Sequence, residues 1–480
     1  MNLSTGDHSV APPRIDVPRD YNAAHDLIER NLAADRGAKI AYIDDAGETT
    51  YAQLAERVDR FASGLTALGL DMEHRVMIAM LDTIDWPVAF LGAIKAGIVP
   101  VAVNTLLTTK EYEFMLSDSR ARALIVSEAL LPAFAPLLQR LPFLKHVIVS
   151  GADAKGHLAF KDVLAKGKPK FAAAPTTRDD PCFWLYSSGS TGMPKGTVHV
   201  HSGMIVTAEL YARPILGIAE KKPTIFYGVP TLYAALLADS NFPQKEALAL
   251  RICTSAGEAL PPQIGKSFKE RTGVEVLDGI GSTEMLHIFL SNRPGDVRPG
   301  TTGKPVPGYE LKLTDEQGNE VKRGELGELQ IGGPTSANGY WNNREKSRST
   351  FIGTWTRSGD KYSQDADGYY VYGGRSDDML KVSGIYVSPA EVEAALVSHD
   401  AVLEAAVVGA EDENRLVKPK AYIVLKAGRT GDEKLQAALQ QHVKDRLAPY
   451  KYPRWIEFLP ELPKTATGKI QRFKLRGAAK

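Results

Sequence analysis

The chain has little cysteine: Cys182 and Cys253 are its only two thiols in 480 residues. Two cysteines neither staple a secreted domain nor build a metal cluster, and they fit a reducing, cytoplasmic setting. It also lacks an excess of either charge, because 58 Lys and Arg face 57 Asp and Glu for a net charge of +1. That balance gives no field suited to wrapping nucleic acid. Long apolar runs are missing too. The most apolar stretch, Val76 to Val103, is broken by Asp82, Asp85 and Lys95, so it reads as strand, helix and strand, and stable membrane association is not expected. The N-terminus is polar and proline-bearing, without the basic-then-apolar pattern of an export signal. No histidine-carboxylate cluster has metal-ligand spacing, and neither His199 nor His201 is spaced for a serine triad, which disfavours hydrolases.

What the chain does have is Ser187-Ser188-Gly189-Ser190-Thr191-Gly192-Met193-Pro194-Lys195-Gly196, directly after the apolar run Phe183-Trp184-Leu185-Tyr186. A strand that empties into glycines, hydroxyls and one ammonium offers backbone N–H groups and charge to a polyphosphate. The spacing does not fit the usual P-loop with its terminal Gly-Lys-Ser/Thr. Lys195 either counters phosphate charge or is solvated in a Pro-Lys-Gly turn.

The surrounding pattern is layered α/β. Thr50 with Gln53 and Thr108 with Glu111 read as capping boxes opening helices. Arg75 to Met80, Val99 to Val103 and Ala123 to Val126 read as strands, and Trp86 to Lys95 as a helix, the rhythm of a largely parallel sheet. Further on, Thr224 to Tyr227, Arg251 to Thr254 and Val274 to Leu277 read as strands, with a helix over Pro261 to Arg271. Beyond about Pro307 the strands become short and turn-separated. Ser388 and Glu391 form a third capping box with Pro389 at the first helical position. The expected division is residues 1–372 as a large domain, 373–381 as a hinge region and 382–480 as a small α+β domain with its own core.

A second cluster, Asp278-Gly279-Ile280-Gly281-Ser282-Thr283-Glu284, is expected as a turn after a strand. Its glycines let a base or acyl group approach the backbone, Glu284 suits Mg²⁺, and Thr283 can donate to phosphate. Asp360 can accept from two adjacent ribose hydroxyls, while Arg375 either compensates a phosphate or forms a salt bridge with Asp360. Lys469, in Pro463-Lys464-Thr465-Ala466-Thr467-Gly468-Lys469, is a cation on a turn near the chain's end. His287 is the histidine placed best to meet a substrate.

Together, Tyr186 to Gly196, Gly281 to Glu284, Thr356 to Asp360, Gly374 to Gly384 and Pro463 to Lys469 resemble the adenylate-forming acyl-CoA synthetases. Within that superfamily the segment from Asp278 to Asn292 looks like that of the benzoate-CoA ligases. The resemblance implies a large N-terminal domain of adenylate-forming type and a small mobile C-terminal domain. It also implies ATP, Mg²⁺ and coenzyme A, an aromatic carboxylate as substrate, and two half-reactions through an acyl-adenylate. By the same resemblance Ser187, Ser188, Gly189, Ser190, Thr191, Gly192 and Lys195 envelop the β- and γ-phosphates, with Asp278 and Gly279 also at the nucleotide. Thr191, Glu284 and Lys469 act in catalysis, and Asp377 is the hinge. Lys381, Ser383 and Gly384 meet the coenzyme A channel, and Gly281, His287 and Ile288 border the aromatic acid. A homodimer is compatible with this reading, although no sequence feature supplies an interface.

The resemblance departs at Ala219-Glu220-Lys221-Lys222. Relatives are expected to carry roughly forty-five more residues there, whereas Gly217 nearly abuts the strand at Thr224, less than a βα unit occupies. That removes expected acyl-pocket wall, and with it stability and activity if the shortening is physical. Three functional classes therefore stay open: an aryl-CoA ligase, a ligase for another aryl or medium-chain acid, and a nucleotide-binding relative without activity.

Overall fold

The computed structural model describes residues 1–187, 193–216, 225–239, 242, 245–382, 385–413, 415–464 and 470–478. The chain divides into two compact units. The first comprises Met1–Leu210, Thr283–His287 and Pro334–Phe351, and the second Tyr211–Ser282, Ile288–Gly333 and Ile352–Lys480.

The first unit is built on an eight-stranded sheet. Its order is Gly339–Tyr340, Lys195–Val200, Pro181–Ser187, Val99–Ala102, Arg75–Ala79, Ala123–Ser127, His146–Ser150 and Leu158–Ala159. From Pro181–Ser187 onward all neighbours are parallel, and Lys195–Val200 is antiparallel to both of its own. Both capping boxes read from sequence open helices, Tyr51–Ala67 and Thr109–Ser119. Leu54, Val58, Phe61 and Leu65 recur on one face of the first helix and are buried, as helical spacing requires. Gly64 is needed where that helix meets Val163, since a Cβ there would lie 2.6 Å from the Val163 carbonyl.

The second unit holds a five-stranded sheet in the order Ile225–Gly228, Ile252–Ser255, Val276–Gly281, Ile288–Ser291 and Lys304–Pro305. An antiparallel sheet follows, including Glu310–Thr314, Gly327–Gly332, Trp355–Gln364 and Tyr370–Arg375. The last segment is the expected small α+β layer. Its strands Val402–Glu411, Val417–Leu425 and Trp455–Phe458 share a core with helices Pro389–Val397 and Glu433–Lys444.

Two local expectations are corrected. Asp278, Gly279, Ile280 and Gly281 are not a turn after a strand; they belong to strand Val276–Gly281, because Gly279 and Ile280 pair with Ser291 and Leu290. The capping box at Ser388 is only half formed. The Ser388 hydroxyl accepts from the Glu391 amide, but the Glu391 carboxylate turns instead to Lys451 Nζ at 2.5 Å.

Candidate functional site

In the first unit the glycine-rich segment joins two paired strands. Ser187 pairs with Lys195 where strands Pro181–Ser187 and Lys195–Val200 run antiparallel. Ser188, Gly189, Ser190, Thr191 and Gly192 lie outside the described residues. Ser187 Oγ is buried without a hydrogen-bond partner among the described residues. Lys195 Nζ stands 5.1 Å from the centre of the Tyr340 ring.

The 3-10 turn Thr283–Met285 is fastened to the same unit at three points. The Ala337 amide donates to the Glu284 carbonyl at 2.8 Å, and the Thr335 hydroxyl donates to the Met285 carbonyl at 2.7 Å. The Tyr340 hydroxyl donates to Glu284 Oε1 at 2.7 Å. His199 is buried beside the turn, and burial pushes its imidazole down to about 4 even though Thr283 and Glu284 act the other way. It is therefore neutral near pH 7, stacked on Phe183 at 5.1 Å.

Tyr340 and His199 carry this geometry, yet neither belongs to the sequence-predicted site. Tyr340 earns its place by strand pairing with Thr197; the only local sign was an aromatic pair after Asn338-Gly339. His199 was weighed only for a triad. Its alternation with Thr197 on strand Lys195–Val200, continued by His201 just beyond it, was a signal of burial, and all three are at most 2% exposed.

In the second unit, strand register sets Asp360 opposite Arg375. Arg375 donates to Asp360 Oδ1 at 3.4 Å, to the Ser358 carbonyl at 3.1 Å, and through Nε to Asp377 Oδ1 at 3.3 Å. The salt-bridge alternative for Arg375 is thus realised, and it also ties the expected hinge residue to the same guanidinium. Burial pushes the Asp360 carboxyl up to about 6, with Arg375 pulling it back. Asp278 is buried and raised well above the carboxylate range for the same reason, opposed by the Leu260 and Gly279 amides. Burial raises the Tyr362 hydroxyl well above its ordinary value, and the charges of Asp360 and Asp278 push the same way.

Asp278 also lines a cavity of about 150 Å³ beside Leu260, Asn292 and Thr301. Gly281 pairs in register with Ile288, and a Cβ on Gly279 would meet Ile288 Cγ2 at 3.2 Å. His287 belongs to the first unit, where burial lowers its pKa. The backbone of Lys381 lies in strand Leu380–Val382, while Ser383, Gly384 and Lys469 lie outside the described residues. Both thiols are buried, and burial pushes Cys253 up to about 12, so neither is an activated nucleophile.

Among the described residues no helix is long and apolar enough to cross a membrane.

A family model described as AMP-binding enzyme matches residues 29–216 and 210–341, and one described as AMP-binding enzyme C-terminal domain matches 391–469. The chain is 58% identical over 526 aligned positions to the benzoate--CoA ligase of Thauera aromatica, covering 99% of each chain. It is 44% identical to the 4-hydroxybenzoate--CoA/benzoate--CoA ligase of Rhodopseudomonas palustris, covering 95% of this chain and 94% of that one. Among solved structures, a benzoate CoA ligase from Burkholderia xenovorans LB400 matches at 51% identity and TM-score 0.88, covering 95% of this chain and 100% of that one. The anthranilate CoA ligase AuaEII in complex with anthranoyl-AMP matches at 44% identity and TM-score 0.92, covering 97% and 98%.

The alignment of 526 positions exceeds the 480 residues of this chain, so at least 46 positions of the T. aromatica protein have no counterpart. The two family-model matches meet at 210–216. That is beside the shortened segment at Ala219 to Lys222, which itself lies outside the described residues.

Proposed function

The chain belongs to the AMP-binding enzyme family, with its adenylate-forming fold of large N-terminal and small C-terminal domains, and from that premise we propose that it is a benzoate-CoA ligase. The observation that carries the substrate class is the 58% identity to a benzoate--CoA ligase across 99% of both chains. In the first half-reaction a carboxylate oxygen of the aryl acid attacks the α-phosphorus of ATP and pyrophosphate leaves. In the second the coenzyme A thiol attacks the carbonyl carbon of the acyl-adenylate, loses its proton, and AMP leaves.

Benzoate is ionised at neutral pH, so the first barrier is the meeting of anions. The loop Ser187 to Gly192 with Lys195 takes the β- and γ-phosphates, Thr191 and Thr283 donate to phosphate oxygens, and Asp278, Gly279 and Asp360 hold the nucleoside. Gly281, His287 and Ile288 border the ring of the acid. Residues 373–381 form the hinge, pivoting at Asp377, so that Lys469 serves adenylation and Lys381, Ser383 and Gly384 serve the thioester step. Arg375 keeps Asp360 and Asp377 in place from its position between them.

The residues fit Mg²⁺. The Tyr340 hydroxyl donates to Glu284 Oε1, and a carboxylate has a second oxygen to offer a cation. One hard carboxylate oxygen beside substrate phosphates is the usual protein share of a Mg²⁺ shell. When bound, the ion neutralises charge on the polyphosphate.

Asp360 makes the nucleotide step pH-dependent with a definite sign. Its carboxyl, at about 6, accepts fully from a ribose diol only when ionised, so ATP affinity is complete above that pH and lost below it. Calorimetry of ATP binding is expected to give roughly tenfold weaker affinity at pH 5 than at pH 7. Asp360→Asn should bind more weakly at pH 7, near the parent's level at pH 5, and flatten that profile; an unchanged profile removes Asp360 from the ribose.

The reaction class is tested with protein of verified intact mass, ATP and coenzyme A, against benzoate, its hydroxy and amino relatives, and medium-chain fatty acids. Acid-dependent pyrophosphate release and coenzyme-A-dependent AMP formation are expected. Benzoate should exceed hexanoate in kcat/KM by at least about tenfold, the discrimination a shaped apolar slot supplies. ATP binding without acid-dependent pyrophosphate would favour the inactive nucleotide-binding relative, and a preference for hexanoate the other carboxylate ligase.

A further inference from the structure

Helix Thr109–Ser119 ends at Arg120, whose backbone is left-handed with φ of 53°. The last four carbonyls of a helix have no donor within it. The one on Asp118 is met from outside, where Trp341 Nε1 donates to it at 3.0 Å. The Asp118 carboxylate reaches a different element: Oδ2 accepts from the Tyr186 hydroxyl at 2.7 Å. Burial first, and then that bond, raise the Tyr186 hydroxyl above its ordinary value, so it keeps the proton it donates. All of these residues belong to the first compact unit.

Both partners of Asp118 sit at strand ends that carry candidate site residues. Tyr186 pairs with Gly196, and the next pair in register is Ser187 with Lys195. The Trp341 amide donates to the Gly196 carbonyl at 2.8 Å. Trp341 directly follows Tyr340, which pairs with Thr197 and donates to Glu284. The indole is held in place by the Trp184 ring at 4.7 Å and by the guanidinium groups of Arg75 and Arg120 at 5.6 and 5.8 Å. Asp118 thus ties one helix end to strands Pro181–Ser187 and Gly339–Tyr340, across 68 and 223 positions of chain.

We propose that Asp118 is a positioning residue for the polyphosphate of ATP, bracing through Tyr186 and Trp341 the strand ends that carry Ser187, Lys195 and Tyr340. The proposal rests on the assignment of Ser187 and Lys195 to the β- and γ-phosphates given above. A phenol donating to a carboxylate is a charge-assisted bond with a fixed direction, and here it fastens the residue immediately before Ser187. Without it, the Ser187–Lys195 pair loses its outer support and must be ordered when ATP binds, at a cost in affinity. Asp278 and Asp360, assigned to the nucleoside, belong to the other compact unit. The brace therefore acts on the β- and γ-phosphates and spares AMP.

The test compares Asp118→Ala, Asp118→Asn, Tyr186→Phe, the double variant of Asp118→Ala with Tyr186→Phe, and Lys195→Ala, each in the full chain, by calorimetry of ATP and of AMP. Asp118→Ala and Tyr186→Phe should each weaken ATP about tenfold, within the range for losing a charged hydrogen bond, and AMP by less than about threefold. The double variant should lose no more than the worse single variant, since both remove one bond. Asp118→Asn keeps an acceptor oxygen for the Tyr186 hydroxyl and should recover most of the ATP affinity. In turnover, Asp118→Ala should raise KM for ATP about tenfold and leave thioester formation from supplied benzoyl-adenylate within about threefold of the parent.

Equal weakening of ATP and AMP in Asp118→Ala, an additive double variant, or an Asn variant as poor as Ala overturns the brace and makes Asp118 a merely structural residue. If Lys195→Ala narrows the preference for ATP over AMP while Asp118→Ala does not, the brace alone fails. If Lys195→Ala leaves that preference unchanged, the premise fails instead.

Discussion

Lys469→Ala is expected to slow acyl-adenylate formation by on the order of 10²- to 10³-fold while changing thioester formation from supplied benzoyl-adenylate by less than about threefold. The asymmetry follows from charge. In the first step the carboxylate and the α-phosphate must approach while both are anionic, and one ammonium between them offsets the charge that develops on the transferring group. In the second step a thiol meets an already activated carbonyl, and that ammonium has no developing phosphate charge to answer. A pyrophosphate burst with ATP and benzoate reads the first step, and coenzyme-A-dependent AMP release from benzoyl-adenylate reads the second. Equal loss in both would falsify the assignment.

Glu284→Gln carries the second large effect, a loss of roughly 10²-fold in acid-dependent pyrophosphate release at a fixed, subsaturating Mg²⁺ concentration, because an amide oxygen is a far weaker partner for a hard dication. The loss should shrink as Mg²⁺ is raised. Tyr340→Phe removes the hydroxyl that donates to Glu284 at 2.7 Å, so about five- to tenfold is expected, with the Mg²⁺ requirement little changed. A Glu284→Gln enzyme that saturates with Mg²⁺ like the parent would show that the carboxylate does not hold the ion.

Much of the fold was legible because its signals are local. Thr50 with Gln53 and Thr108 with Glu111 each satisfy a helix N-terminus within four residues, and both capping boxes form. The alternation of helix and strand from Tyr51 to Ser127 needed only hydrophobic period and length. Where a partner from elsewhere competes, local reading fails. Ser388 met the rule for a full box, but Glu391 found Lys451, 60 positions away, and left the box half made. Asp278 to Gly281 carry the glycines of a turn, yet pairing with Ser291 and Leu290 draws them into a strand.

The candidate site divides along the same line. Ser187, Lys195, Thr283, Glu284, Asp360 and Lys469 stand out in the sequence by chemistry and spacing. Tyr340 and His199 do not, because an aromatic and a histidine of unremarkable surroundings acquire meaning only from what they pack against.

The sequence alone determined which chemical groups the protein possesses and which short segments form helices and strands, since those depend on neighbours a few residues apart. Only the tertiary structure decided that Tyr340 orients Glu284 and that strand register sets Asp360 opposite Arg375. Burial and strand register bring together groups that chain order keeps tens to hundreds of positions apart, and the same burial raises the Asp360 carboxyl to about 6.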